Sequence, residues 1–124
     1  MKPQILLVDD HQMARRALKL LLEQQGYACE EADDGASALI KLGIGQAVDL
    51  VISDNQMPVM SGMELLTNIK THSRLSTIPV ILYSGNLTEE LRKQARQVGA
   101  YAVFTKPYNF ADLLATVSNV LSRE

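Results

Sequence analysis

The chain lacks the raw material for several classes of protein. Its single cysteine, Cys29, excludes a disulfide framework and any cysteine-based zinc spacing. Lying in an alternating apolar segment, Cys29 reads as a small buried hydrophobe. An excess of charge of one sign is also missing: 12 Lys and Arg stand against 14 Asp and Glu, a net charge of −2. The basic residues are scattered, and Arg15-Arg16 reads as a solvated helix face, so nothing argues for direct contact with nucleic acid. Long apolar runs are absent too. The run Ile5-Leu6-Leu7-Val8 is too short for a membrane span or secretion signal, and Asp9 and Asp10 follow at once. A cytoplasmic location without membrane contact is the expectation. No linker, low-complexity segment or internal repeat divides the 124 residues, which fit one domain, 1–124.

What is present is an alternation of apolar runs and amphipathic stretches, five times over. The runs predict strands over 4–8, 27–31, 49–53, 78–83 and 101–105. After the first, Ala14, Ala17, Leu18, Leu21 and Leu22 share one helical face, and Gly26 ends that helix. Asp34-Gly35 opens a second helix, bearing Ala38, Leu39 and Leu42. Ser61 and Glu64 predict a capping box for a third, with Leu65, Leu66 and Ile69 inward. Thr88 or Asn86 caps a fourth, which carries Leu91, Ala95 and Val98 and closes at Gly99. Asn109 caps a fifth, with Phe110, Leu113, Leu114, Val117, Val120 and Leu121 inward. Near-continuous apolar strands belong in a parallel sheet covered on both faces by helices. Right-handed crossovers then make this a doubly wound α/β domain.

In such sheets ligands bind beyond the carboxyl ends of the strands. There the chain puts Asp9 and Asp10, Asp54, Ser84 and Lys106, and Pro107 helps to aim the lysine. Asp54 alone could be a turn residue. Three acids, a hydroxyl and a lysine on one edge argue instead for a site. Carboxylates about 4 Å apart repel by roughly 4 kcal/mol at an effective dielectric near 20, which raises a carboxyl pKa and blunts a nucleophile. A hard divalent cation offsets that charge, and a site with few oxygen ligands suits Mg²⁺. Asp54 could then attack phosphorus, with metal, Lys106 and Ser84 holding the phosphoryl oxygens.

With those residues in view, the chain resembles a response-regulator receiver domain (CheY-like) of two-component signalling along essentially its whole length. The motifs are L-L-V-D-D at 6–10, D-N-Q-M-P-V-M-S-G at 54–62, L-Y-S-G at 82–85 and F-T-K-P at 104–107. The resemblance implies a flavodoxin-like (βα)5 fold with strand order 2-1-3-4-5. It makes Asp54 the phosphoacceptor, Asp10 the principal Mg²⁺ ligand, Asp9 a support through water, and Gln56 the donor of a backbone carbonyl to the metal. Ser84 matches the switch hydroxyl, Lys106 the phosphoryl-binding lysine, and Gly85 the small residue that leaves the site open to the donor. The Gln56 side chain and Asn86 lie where the family tunes dephosphorylation. The implied donor is a phosphohistidine on a sensor histidine kinase or histidine phosphotransfer protein. The implied output is a downstream effector protein or a fused output domain, addressed through residues 86–121. Such a module accepts a phosphoryl group and slowly loses it, and is not a turnover enzyme.

One position departs from the pattern. Val103 stands three residues before Lys106, where receivers usually carry Tyr or Phe, so Tyr101 or Tyr83 becomes the candidate signalling ring. Two other classes fit less well. An aspartyl-phosphate phosphatase would want an acid two residues beyond its nucleophile, where Gln56 stands. A flavin-binding domain would want a Ser/Thr/Gly-rich loop where Asp9-Asp10-His11 would repel its phosphate. His11 reads as a first-turn helix residue, His72 as an exposed helix end, and Met13, Met57, Met60 and Met63 as loop and core fillers.

Overall fold

Five strand–helix repeats run through the computed structural model, which describes residues 2–122; the ends of the expected 1–124 span lie outside them. The strands are β1 (Gln4–Val8), β2 (Ala28–Ala32), β3 (Leu50–Asp54), β4 (Val80–Ser84) and β5 (Ala102–Thr105). The helices are α1 (Gln12–Gln24), α2 (Gly35–Gly43), α3 (Gly62–Thr71), α4 (Glu89–Val98) and α5 (Phe110–Leu121). Neighbouring strands pair parallel in the order β2-β1-β3-β4-β5. The doubly wound, flavodoxin-like architecture is therefore as expected.

The two-residue period of a strand decides which helices cover which face. Ile5, Leu7, Leu50, Ile52, Ile81 and Tyr83 meet Leu18 and Leu22 of α1 and Leu113 and Val117 of α5. The residues between them, Leu6, Val8, Val51, Val80, Leu82 and Val103, meet α2, α3 and α4. Every residue of β3 and β4 is buried, as befits central parallel strands. Burying one Leu or Ile contributes about 1.5–3 kcal/mol, so both faces bind their helices firmly. They differ in kind, however. All four tyrosines and both phenylalanines pack on the α1/α5 face, and the opposite face is aliphatic.

Helix ends follow the local chemistry. Asp34 accepts the Ser37 N–H at 2.7 Å, Thr88 that of Leu91 at 3.1 Å, and Asn109 that of Asp112 at 3.1 Å. Thr88, not Asn86, is therefore the cap of α4. The Ser61–Glu64 capping box forms in both directions. Gly62 is required for a different reason: a Cβ there would lie 2.5 Å from the Asp54 carbonyl oxygen. Only a glycine lets α3 start against that peptide.

Two expectations need correction. Four strands begin one or two residues later than the apolar runs suggest: Asp49, for example, spends its carboxylate on the Gln4 N–H at 2.7 Å and precedes β3. More consequential is the inward face of α1. Arg15, Leu18 and Leu22 are buried, while Ala14, Ala17 and Leu21 are exposed. Arg15 is thus no solvated residue. Its stem packs inward, and its guanidinium donates to the Asp9 carbonyl and to Glu31 Oε1, both at 2.6 Å. Arg16 remains exposed. Cys29 is buried, with its thiol pushed up to about 11 by burial and then by the charge of Glu23. Among the described residues no helix is long and apolar enough to cross a membrane.

Candidate functional site

The register brings the acids together. Val8 lies beside Ser53 and Asp54 beside Tyr83, so Asp9, one residue past β1, falls next to the end of β3. Asp9 and Asp54 are both fully buried, whereas Asp10 is partly open to solvent. One ligand atom from each of Asp9, Asp10, His11 and Asp54 falls within 4.8 Å of the others. Lys106, from the far side of the sheet, puts Nζ 3.2 Å from Asp54 Oδ2. The other Asp54 oxygen accepts the Gln56 N–H at 3.1 Å.

Burial raises the pKa of Asp54 most, and the nearby charge of Asp9 adds to it; the Gln56 N–H and Lys106 pull the other way. A desolvated carboxylate crowded by two others is the setting in which a cation becomes favourable. The three carboxylates are hard oxygen ligands of the kind that fit Mg²⁺, with the His11 imidazole nitrogen beside them. Mg²⁺ itself rests on that donor chemistry.

The remaining site candidates sort into three groups. Ser84 is buried at the end of β4, and its Oγ accepts the Asn86 N–H at 3.1 Å. The Gln56 side chain reaches across to accept the Gly85 N–H at 3.0 Å, which ties the β3–α3 loop to the β4–α4 loop. A Cβ at residue 85 would meet that Gln56 oxygen at 3.2 Å, consistent with a small residue there. Val103 lies away from the acids, buried in the aliphatic cluster, and its carbonyl accepts from Arg92 at 3.1 Å. Tyr101 lies at the opposite end of the sheet from the acids. Its N–H donates to Val80 at the start of β4, so it sits about 13 Å along the strand from Thr105. The Lys106-Pro107 peptide is cis.

Two residues at the site have more to do than the sequence suggested. His11 is the N-cap of α1, and its Nδ1 approaches Oδ1 of both Asp9 and Asp10 at 3.2 Å and Asp54 Oδ2 at 3.9 Å. Tyr83 is buried, and its hydroxyl donates to Asp9 Oδ2 at 2.6 Å. Burial, reinforced by the charge of Asp9, holds that hydroxyl protonated far above the usual range. Two-residue alternation already puts Asp9, Asp54 and Tyr83 on one face, and that was the available signal.

The comparisons with known proteins agree with this geometry. The family model described as response regulator receiver domain matches residues 5–118. Chemotaxis protein CheY-3 of Vibrio cholerae is 36% identical over 120 residues, 96% of this chain and 92% of that protein. A response regulator receiver protein from Pseudomonas putida superposes with a TM-score of 0.90 at 28% identity, over 96% of this chain and 98% of that one. Chemotaxis protein CheY4 of V. cholerae gives 0.88 at 32% identity, over 97% and 99%. Sequence, fold and acidic edge converge: the chain belongs to the response regulator receiver domain family of two-component signalling.

Proposed function

We propose that Asp54 accepts a phosphoryl group from a phosphohistidine on a sensor histidine kinase or histidine phosphotransfer protein. The observation that carries this reading is the pairing of buried Asp54 Oδ2 with Lys106 Nζ at 3.2 Å, beside the Asp9–Asp10 carboxylates. An Asp54 oxygen attacks phosphorus, the bond from phosphorus to the imidazole nitrogen breaks, and the freed imidazole takes up a proton. The product is a mixed anhydride on Asp54, which water slowly returns to carboxylate and phosphate. Lys106 and the Ser84 hydroxyl receive the phosphoryl oxygens. Asp10, Asp54 and the Gln56 carbonyl would hold Mg²⁺ directly and Asp9 would do so through water. When bound, that ion supplies positive charge against which the carboxylates and phosphoryl group can approach.

The added phosphoryl group carries close to two negative charges and draws Ser84 and Lys106 toward it. The 86–121 region then differs between the two states, and an effector protein or fused output domain that prefers one state reads the signal. In this reading the module works in the cytoplasm, contacts neither nucleic acid nor membrane, and turns over no substrate. Gln56 supports the last point, since an amide bound to Gly85 stands where a hydrolase would want an acid.

Incubation with acetyl phosphate and Mg²⁺ tests the reading by intact mass. Wild type should gain one phosphoryl group and Asp54→Asn none; gain in both would move the acceptor elsewhere.

A further inference from the structure

Tyr83 is buried at the acidic edge and has no part in the phosphoacceptor reading. Its hydroxyl meets Asp9 Oδ2 at 2.6 Å, while the other Asp9 oxygen accepts the His11 N–H at 2.9 Å. Each oxygen of this fully buried carboxylate thus has its own donor, and a short O–H···O⁻ bond is among the stronger kinds. Removing the hydroxyl leaves Asp9 Oδ2 without that partner, and only the His11 N–H on the other oxygen still orients the carboxylate.

The same ring has two further neighbours. Lys106 Nζ lies 5.0 Å from its centroid, a cation–π approach, and the Tyr108 ring lies 5.5 Å away at a tilt of 55°. Tyr108 immediately precedes Asn109, the cap of α5. A cleft of about 420 Å³ opens between α1 and the start of α5, walled by Tyr83, Tyr108, Lys106 and Ala14, so the rings have space beside them. Val103 has no such connection to the acids.

We propose that Tyr83 is a positioning residue: its hydroxyl fixes Asp9 for the cation, and its ring passes the state of Lys106 through Tyr108 to the start of α5. The proposal rests on the phosphoacceptor reading, because it needs Asp9 and Lys106 to serve the same site. When Lys106 moves toward a phosphoryl group it leaves the face of the Tyr83 ring, and the Tyr83–Tyr108 contact loses one of its fixed walls. The signal then leaves the sheet on the α1/α5 face.

Titration calorimetry with Mg²⁺ on wild type and Tyr83→Phe tests the first half. Loss of an outer partner of a direct metal ligand commonly costs 10–100-fold in affinity; Asp9 acts through water, so Tyr83→Phe should fall at the low end and bind Mg²⁺ about tenfold more weakly at an unchanged fold. An affinity within twofold of wild type overturns the positioning role. NMR of the unmodified chain tests the second half and does not depend on a variant folding. With Mg²⁺ and beryllofluoride as phosphate mimic, ring signals of Tyr83 and Tyr108 and the amides of Asp112 and Leu113 should shift, while Tyr27 stays put. Still rings at 83 and 108 overturn the coupling. If wild type itself takes up neither Mg²⁺ nor phosphate, the phosphoacceptor reading fails, and this one with it. If it takes up both while Tyr83→Phe matches it, Tyr83 alone is ruled out.

Discussion

The two faces of the sheet are built from different materials. On one, Leu6, Val51, Leu82 and Val103 meet the aliphatic sides of α2, α3 and α4, and among the described residues no ring enters that layer. On the other, six aromatic rings pack among the leucines of α1 and α5, and Asp9, Asp54 and Tyr83 fall in line on the same side. Aliphatic packing without polar handles fixes positions but has nothing with which to grip a carboxylate. A layer holding tyrosines can be buried and still donate a hydrogen bond. The acidic edge is therefore supported by the first layer and held by the second.

Cutting into the aliphatic layer should give the largest effect. Leu82→Ala removes a buried side chain that pairs with Val103 and shares its cluster with Val51, and should cost about 3 kcal/mol in denaturant unfolding, with phosphorylation retained by the folded fraction. A loss below about 1 kcal/mol would mean that this face is not the scaffold. Gly62→Ala comes next, since its Cβ would strike the Asp54 carbonyl and must displace it. About 2 kcal/mol of stability and a slower phosphorylation rate should go together. Lost stability at an unchanged rate would separate the two.

The acidic edge should respond to pH with a definite sign. The pKa of Asp54 is raised in the folded chain, so this group's contribution is lost as pH rises from its ordinary 3.8 through the raised value. Asp54→Asn should thus stabilise the metal-free chain at neutral pH, and the gain should fade as pH drops below 3.8, read from melting curves across pH. Mg²⁺ at a hundred times its dissociation constant should add about 2.7 kcal/mol to wild type at neutral pH and much less to that variant. The smallest effect is expected at Val59, a fully exposed β-branched residue held at φ 68° in the β3–α3 loop. Val59→Gly relieves that left-handed strain at some entropic cost and should raise stability by about 0.5 kcal/mol. A loss would mean that Val59 makes contacts worth more than its strain.

Much of this was legible in the sequence because strand alternation and helix punctuation are local. The caps at Asp34, Ser61 and Asn109, the two covered faces, and the meeting of Asp9, Asp10, Asp54 and Lys106 follow from apolar period and strand ends. The face of α1 was not legible, because Leu18, Leu20, Leu21 and Leu22 leave the choice of inward face open by one residue. What settles it is Arg15, whose partners are the Asp9 carbonyl just past β1 and Glu31 on β2. The Tyr83–Asp9 bond was hidden for a similar reason: it joins residues 74 apart, and the L-Y-S-G motif gives the tyrosine no partner. Gly62 shows the same limit, since nothing local says that the Asp54 peptide will lie against it.

The central claim is that Asp54 carries the phosphoryl group. Phosphorylated chain treated with borohydride tests it most directly, because hydride reduces an acyl phosphate at the carbonyl carbon, expels phosphate and leaves homoserine. Peptide sequencing should find homoserine at position 54 and aspartate at 9 and 10. Homoserine at 9 or 10, or phosphate that survives the reduction on Ser84, would contradict the account.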